Sequence, residues 1–299
     1  MNFVLIGCGN IGILYDYKNP KKLLTYYSTI NSNRSYKLIG VCDVDKKKKF
    51  LVDKRINFFS NLKKMINYLT EVNVAVIASS TSSHYNVLKD VLQSKIKYII
   101  CEKPFILNIH KAKEIIKLIK KNKKKVIINY SRRFSPEIIN LISRIKNNSY
   151  GNIDRISITT SRGLINNGCH YIDLMRMIFG ENIKVLDKSL YKSKYIKNDF
   201  CGKFNILVKK KIIVNIQIKD FENKFIEKIN FYTKKNIIRI LDFKKIMFVN
   251  KKNLKKKEIK INRSIQLTNL LKNLNNIYLS SVQNAFKNNI ILNEILYKK

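Results

Sequence analysis

The sequence predicts an α/β protein in two parts: a doubly wound parallel sheet, then an α+β domain built on one antiparallel or mixed sheet. Three observations carry this. Over about the first 130 residues, short β-branched apolar runs alternate with segments of helical spacing. A Gly-x-Gly-x-x-Gly turn directly follows the first run. Beyond it, strand patterns succeed one another with no helices between them.

The first-part strands are expected at 2–6 (NFVLI), 36–43, 73–79, 97–102 and 125–130, with a weaker one at 56–59. Helical spacing marks 61–69, 83–94 and 108–121. Strands that are apolar throughout and alternate with helices read as a parallel sheet covered on both faces. After a helix at 136–147, strands are expected at 153–160, 184–192, 202–210, 211–219, 225–233, 236–241 and 245–249. In KIIVNIQIK, Ile212, Val214, Ile216 and Ile218 alternate, so one face of that sheet needs a cover. A closing helix is expected at about 265–287, with Leu270, Leu271, Leu274 and Tyr278 on its apolar side. No repeat and no Pro/Gly-rich linker marks a joint. The change of pattern alone divides the chain into domains 1–128 and 129–299.

Composition excludes several classes. A chain of 299 residues that is 45% hydrophobic can bury a core in each domain. No basic n-region or cleavage site follows Met1, and no apolar run approaches the ~20 residues of a spanning helix. The expectation is a cytoplasmic protein with no membrane partner. Five cysteines without a Cys-x-x-Cys read as buried thiols in a reducing compartment, with no metal site. The net charge of +40 is spread along the whole chain, and lysine far outnumbers arginine. Lys, Ile and Asn share AT-rich codons, so genome composition accounts for the excess. Nucleic acid is not an expected partner, because arginine, suited to bidentate phosphate and base contacts, is not enriched. The field still attracts anionic small molecules.

The chemistry-bearing motifs lie at strand ends. In IGCGNIG, Gly7 permits the tight turn, Gly9 lets a pyrophosphate approach the backbone, and Gly12 lets helix and strand pack closely. Asn10 and Ile11 lie between them, at the opening of a helix whose N-terminus favours anions. Asp43 ends the second strand, where a carboxylate accepts ribose hydroxyls and repels a 2′-phosphate. That reading puts NAD ahead of NADP, with the lysines at 46–49 leaving NADP open. The long gap to Asp43 requires an enlarged helix–loop. In ASSTSSHY, Ser79, Ser80 and Thr81 end the fourth strand on the nicotinamide side, with Ser82 or Ser83 as helix caps. His84 belongs to this group or lies on the surface at the cap. In CEKPF, Glu102 and Lys103 sit at the carboxyl edge of the fifth strand, and Pro104 turns the chain and aims Lys103 outward.

Together, GCGNIG, CDVD, ASSTSSH, CEKP, NYSRRFSP and NGCHYIDL resemble, in this order, the glucose–fructose oxidoreductase / inositol dehydrogenase family (Gfo/Idh/MocA). The resemblance is firm to about residue 182 and rests on strand pattern beyond. It implies a Rossmann domain followed by an open-faced, mostly antiparallel sheet domain whose outer surface makes homo-oligomer contacts. It implies that Lys103 bridges nicotinamide and substrate, that the bond before Pro104 is often cis, and that His170 is the catalytic histidine. Arg132 and Arg133 fall on its "RF" element. Many members carry aspartate where this chain has Asn166, and Asp173 matches. In this reading His170 lies in the first turn of a helix capped by Asn166 or Asn167, whose dipole favours neutral imidazole. His170 and Asp173 share a face at i and i+3.

The function so implied is an NAD(P)-dependent oxidoreductase that interconverts a secondary alcohol and a ketone on a sugar, cyclitol or nucleotide-linked sugar. His170 handles the proton and Lys103 polarises the oxygen, while Asn166, Asp173 and an arginine at 132–133 position substrate. The alternatives are a non-catalytic dinucleotide-binding or regulatory protein and an RNA-associated basic protein.

Overall fold

Strand β1 (Asn2–Ile6) is the centre from which the first sheet grows, and Phe3, Val4 and Leu5 are wholly buried in it. The computed structural model describes residues 1–276 and 280–297. The chain runs on through α1 (Tyr26–Asn31), β2 (Lys37–Cys42), β3 (Asn57–Phe59), α2 (Leu62–Tyr68), β4 (Val74–Ile77), α3 (His84–Gln93), β5 (Tyr98–Glu102), α4 (Ile109–Lys121) and β6 (Lys125–Asn129). All neighbours pair in parallel, in the order β3-β2-β1-β4-β5-β6. The order reverses between β1 and β4, which makes the carboxyl ends of those strands the switch point of a doubly wound sheet.

The helix expected straight after the glycine turn is interrupted. Ile13 N–H bonds the Gly9 carbonyl at 2.9 Å and Tyr15 N–H that of Asn10 at 3.0 Å, giving little more than one turn. The chain then leaves through two short 3₁₀ turns, Leu14–Asp16 and Pro20–Lys22. It returns at α1, whose Tyr26 and Tyr27 N–H groups donate to the carbonyls of Ile11 and Gly12 at 3.1 and 3.0 Å. Those carbonyls would have bonded the next turn of an unbroken helix, so α1 resumes it after the excursion. Asp16, only 3% exposed, closes the excursion by accepting from Leu24 N–H and the Thr25 hydroxyl, both at 2.6 Å. This is the enlarged helix–loop that the distance to Asp43 required.

The second sheet follows α5 (Pro136–Lys146). Its elements are β7 (Ile153–Ser161), a π-helical segment Gly163–Gly168, α6 (Cys169–Phe179), β8 (Ile183–Lys192), β9 (Phe200–Val208), β10 (Ile212–Lys219), β11 (Glu227–Thr233), β12 (Asn236–Leu241), β13 (Lys245–Asn250) and β14 (Lys256–Lys260). They assemble as β14-β13-β12-β11-β7-β10-β9-β8, antiparallel throughout except for β7 with β10. Ile212, Val214, Ile216 and Ile218 are all buried, as their alternation predicts, while Ile213 between them is 44% exposed. Sequence reading missed β14: KKEIK is exposed throughout and has no apolar alternation, and it is a strand only because β13 pairs with it.

The closing helix is two helices, α7 (Ser264–Lys272) and α8 (Val282–Tyr297). Part of the expected single helix, residues 277–279 with Tyr278, lies outside the described residues. Leu267, Leu270, Leu271 and Leu274 join the apolar cluster of Phe3, Leu5, Val76 and Ile127. The chain therefore divides into one compact unit of Met1–Phe134 with Ser264–Phe286 and another of Ser135–Arg263 with Lys287–Lys299. This differs from the boundary at 128, which gave everything after it to the second domain. An amphipathic stripe states that a helix has a partner, and not which sheet that partner is on.

Candidate functional site

The glycine turn has the geometry of a phosphate cradle. Gly7 adopts φ +103°, and a Cβ there would lie 2.6 Å from the Ser79 nitrogen, so the backbone at the end of β4 leaves room for glycine alone. A Cβ on Gly12 would overlap the Gly7 carbonyl oxygen. Gly9 is the opposite case: nothing lies within 4 Å of a Cβ built there. Among the described residues, the N–H groups of Gly9, Asn10, Ile11 and Gly12 have no acceptor. Four successive donors beside open space suit a pyrophosphate. Because the helix behind them is broken, any pull on a phosphate here would come from these N–H groups rather than from a long helix dipole.

Asp43 is tied to this turn. Its Oδ2 accepts Cys8 N–H at 2.7 Å and its Oδ1 accepts Asp45 N–H at 2.9 Å. Each oxygen keeps a lone pair for a ribose hydroxyl. Burial, with Asp43 beside it, pushes the Cys8 thiol up to about 12, so that thiol stays protonated at neutral pH. All five cysteines are free and buried.

At the end of β4, Ser79 is half-buried and its hydroxyl pairs with that of Ser83 at 2.7 Å. Ser80 is exposed and Thr81 half-buried. Neither Ser82 nor Ser83 caps α3 through a side-chain bond; Ser83 instead donates to the Ser80 carbonyl at 2.8 Å. His84 corrects the surface alternative. It is wholly buried, with Nδ1 3.0 Å from the carbonyls of both Pro104 and Phe105 and Nε2 3.2 Å from that of Ser79. It thereby ties the turn after β5 to the end of β4, and no part of the ring remains open to a dinucleotide.

That turn carries the Glu-Lys-Pro motif, and the Lys103–Pro104 bond is cis. Lys103 is half-buried while Glu102 and Pro104 are buried. Glu102 accepts from Tyr26 and Asn129, two residues that no motif marked. Arg132 and Arg133 lie on a 3₁₀ turn, Ser131–Phe134, after β6; Arg132 is 7% exposed and Arg133 half-buried, so Arg133 has more surface to offer a ligand.

In the second unit, GLINNG is itself ordered helix, ahead of the point where a helix capped by Asn166 or Asn167 was expected to begin. Gly163–Gly168 form a π-helical turn that runs straight into α6. His170 is thus the second residue of α6 with a helical turn ahead of it, which removes the free N-terminus and its dipole from the argument. Neither Asn166 nor Asn167 is the expected cap. Asn167 is a buried tether, its Nδ2 donating to Thr160 Oγ1 at 2.7 Å and the Ser161 carbonyl at 3.1 Å. The cap comes from a distant segment: Asp199 accepts Ile165 N–H at 2.8 Å and Asn166 N–H at 2.9 Å. Burial pushes the Asp199 carboxyl above its ordinary value, against the lowering effect of these N–H groups.

The unit leaves the Asn166 side chain exposed and His170 half-buried. Asp173 differs from its expected role: it is 2% exposed and accepts from Asn288 Nδ2 at 2.7 Å, while Asn288 Oδ1 accepts from Arg176 at 2.7 Å. A carboxylate in that position anchors α6 to α8 and does not reach a substrate. π-Turns within helices recur at functional sites, and here one places Asn166 and His170 at a surface.

A family model described as an oxidoreductase family with an NAD-binding Rossmann fold matches residues 1–130. Residues 1–130 are thus similar to the Gfo/Idh/MocA oxidoreductases. An inositol 2-dehydrogenase of Rhizobium meliloti is 24% identical over 95 residues, 32% of this chain and 28% of that protein. An uncharacterized oxidoreductase of Bacillus subtilis is 22% identical over 193 residues, 60% of this chain and 54% of that protein. The chain thus spans about half or less of the curated relatives it matches. Solved structures extend the likeness of fold to the whole chain. A dehydrogenase from Clostridium difficile has a TM-score of 0.77 at 18% identity, over 100% of this chain and 99% of that one. A 3-ketoreductase from Actinomadura kijaniata, solved with NADP and TDP-benzene, has a TM-score of 0.82 at 8% identity, over 99% and 97%. No helix among the described residues is long and apolar enough to cross a membrane.

Proposed function

We propose that this chain is an NAD(P)-dependent dehydrogenase or reductase that interconverts a secondary alcohol and a ketone on a sugar, cyclitol or nucleotide-linked sugar, with NAD preferred. The observation that carries the reading is the open cradle over Gly9, faced by four donors without acceptors and bordered by Asp43. The Gfo/Idh/MocA assignment of residues 1–130 adds the oxidoreductase class. The names of two relatives, an inositol dehydrogenase and a 3-ketoreductase, support a polyhydroxylated substrate.

The bound nicotinamide supplies the hydride acceptor or donor; the protein supplies orientation and charge. Gly9, Asn10, Ile11 and Gly12 bind the pyrophosphate through their N–H groups, and Asp43 accepts ribose hydroxyls. Ser79, Ser80 and Thr81 border the nicotinamide side. Lys103 donates to the substrate oxygen as it gains or loses negative charge. His170 takes the hydroxyl proton in oxidation and returns it in reduction. Asn166 and Arg133 hydrogen-bond other hydroxyls. Buried, protonated thiols fit a reducing, cytoplasmic setting. A homo-oligomer formed through the outer face of the eight-stranded sheet is part of the same reading, supported by the exposure of Ile213 there.

The test is reduced-nicotinamide absorbance with the purified chain, NAD or NADP, and a panel of sugars, cyclitols and sugar nucleotides. Turnover on one of them, lost ~10²–10⁴-fold in a folded His170→Ala that still binds NAD, is the expected result. Normal turnover in that variant removes His170 from the chemistry. Tight NAD binding with no turnover on any substrate favours a non-catalytic dinucleotide-binding protein.

A further inference from the structure

The outer face of the eight-stranded sheet lies opposite the buried Ile156, Ile158, Ile216 and Ile229, and its charge is sorted by position. Carboxylates occupy it only on the two edge strands. Asp187 on β8 accepts from Asn205 Nδ2 at 2.9 and 3.0 Å, and Glu258 on β14 lies 3.0 Å from Lys245 Nζ. Across the six strands between them, the outward positions carry cations and no acid.

The centre of the face is built from β7, β11 and β12. Register sets Arg155 opposite Tyr232, and Asn230 between Ser157 on one side and Arg239 on the other. Lys228 lies two residues before Asn230, on the same face of β11. The Arg155 guanidinium stacks on the Tyr232 ring, 4.7 Å from its centroid. Asn230 Nδ2 donates to Ser157 Oγ at 2.9 Å, and Asn230 is only 7% exposed, so the side chains around it cover it. Arg155, Lys228 and Arg239 thus surround one polar residue, and none has an ion-pair partner among the described residues.

Three unpaired cations repel one another, and a ligand carrying several negative charges relieves all three. An arginine held against an aromatic ring keeps its fork ordered, and that fork matches phosphate oxygens bidentately. The strands of Arg155 and Arg239 are two spacings apart, about 10 Å, so their side chains can close on a short polyphosphate from both sides. The same charges bear on self-association. A twofold contact sets a patch against its own copy. Centred here, it would place the three cations of one copy against those of the other, a like-charge contact that opposes association.

We propose that Arg155, Lys228 and Arg239 form a polyphosphate-binding site, and that a second copy docks on this face only with such an anion between the two. The inference rests on the homo-oligomer reading above and adds the condition for it. Ile213, exposed and paired in register with Arg155, supplies apolar contact beside the site.

Sedimentation velocity at low ionic strength tests this, with sodium tripolyphosphate as the probe and sodium chloride of equal ionic strength as the control. The unmodified chain should sediment as a single copy in chloride and as a pair with tripolyphosphate. Arg155→Ser combined with Arg239→Ser should need at least ~10-fold more tripolyphosphate for the same pairing, the loss expected when bonds to charged groups are removed. Equal pairing in chloride alone overturns the inference and leaves the homo-oligomer reading standing. A single copy under every condition overturns both. A double variant that responds to tripolyphosphate as the unmodified chain does places the anion elsewhere and also overturns the inference. The first comparison needs no variant to fold.

Discussion

The Asp199 carboxylate occupies the space that any side chain at Gly163 would need: a Cβ built on Gly163 overlaps both carboxylate oxygens. Gly163 also holds φ +78°. The two residues are 36 positions apart, and together they start the π-turn that leads to His170. Glycine at 163 admits the carboxylate, and the carboxylate caps the N–H groups of Ile165 and Asn166.

Gly163→Ala should accordingly destabilise the second unit by about 1–3 kcal/mol, through strain at positive φ and displacement of Asp199. Chemical denaturation checks it. A loss of only a few tenths of a kcal/mol would mean that Asp199 moves aside freely.

Asp199 also predicts a pH dependence. Its folded value lies above the ordinary 3.8, so the folded chain holds this proton more tightly than the unfolded chain. The stability it contributes is fully present below 3.8 and is lost as pH rises through the raised folded value. Asp199→Asn lacks this dependence. The stability difference between the unmodified chain and the variant, followed from acid to neutral pH, should shift in favour of the variant. A difference independent of pH would sink the argument.

If Asp43 accepts ribose hydroxyls and repels a third phosphate, as proposed, NAD should bind more tightly than NADP. Asp43→Ser should narrow or reverse that preference. It should also weaken both cofactors, because Asp43 holds the Cys8 N–H of the glycine turn. Calorimetric titration of both cofactors decides. If the unmodified chain prefers NADP, the lysines at 46–49 govern the choice.

Lys103→Met should leave dinucleotide binding nearly intact and lower turnover at least ~100-fold, the usual loss when a positioned electrophilic or proton-transfer group is removed. Steady-state kinetics beside a binding titration gives both numbers. Unchanged turnover moves the chemistry elsewhere.

His84→Ala should cost stability, since it leaves the carbonyls of Ser79, Pro104 and Phe105 without their shared partner. His84→Asn keeps a donor near the Nδ1 position and should recover part of the loss in a thermal melt. Equal melting of all three proteins would show that the tie carries no load.

Much of this protein was legible in its residues. The inner strands β1, β4 and β5 announced themselves because a strand buried on both faces must be apolar throughout, while the partly exposed edge strand β3 gave only a weak signal. Gly7 and Gly12 were readable because no other residue fits their positions. The alternation at 212–218 named its buried face correctly. What escaped was everything set by a partner far along the chain. β14 has no apolar pattern and exists by pairing, and α7 carries an apolar stripe that does not name its sheet. Asp16, Asp199, Tyr26 and Asn129 are ordinary polar residues until the fold brings each to its partner. His84 looked like a surface cap, and Asp173 like a substrate ligand, because local spacing gives a direction along a helix and says nothing of what lies opposite. Local sequence specifies backbone conformation and which face is apolar, since those depend on a residue and its near neighbours. Burial of a polar group and the identity of its hydrogen-bond partner depend on contacts across the chain, and only the tertiary structure decided those.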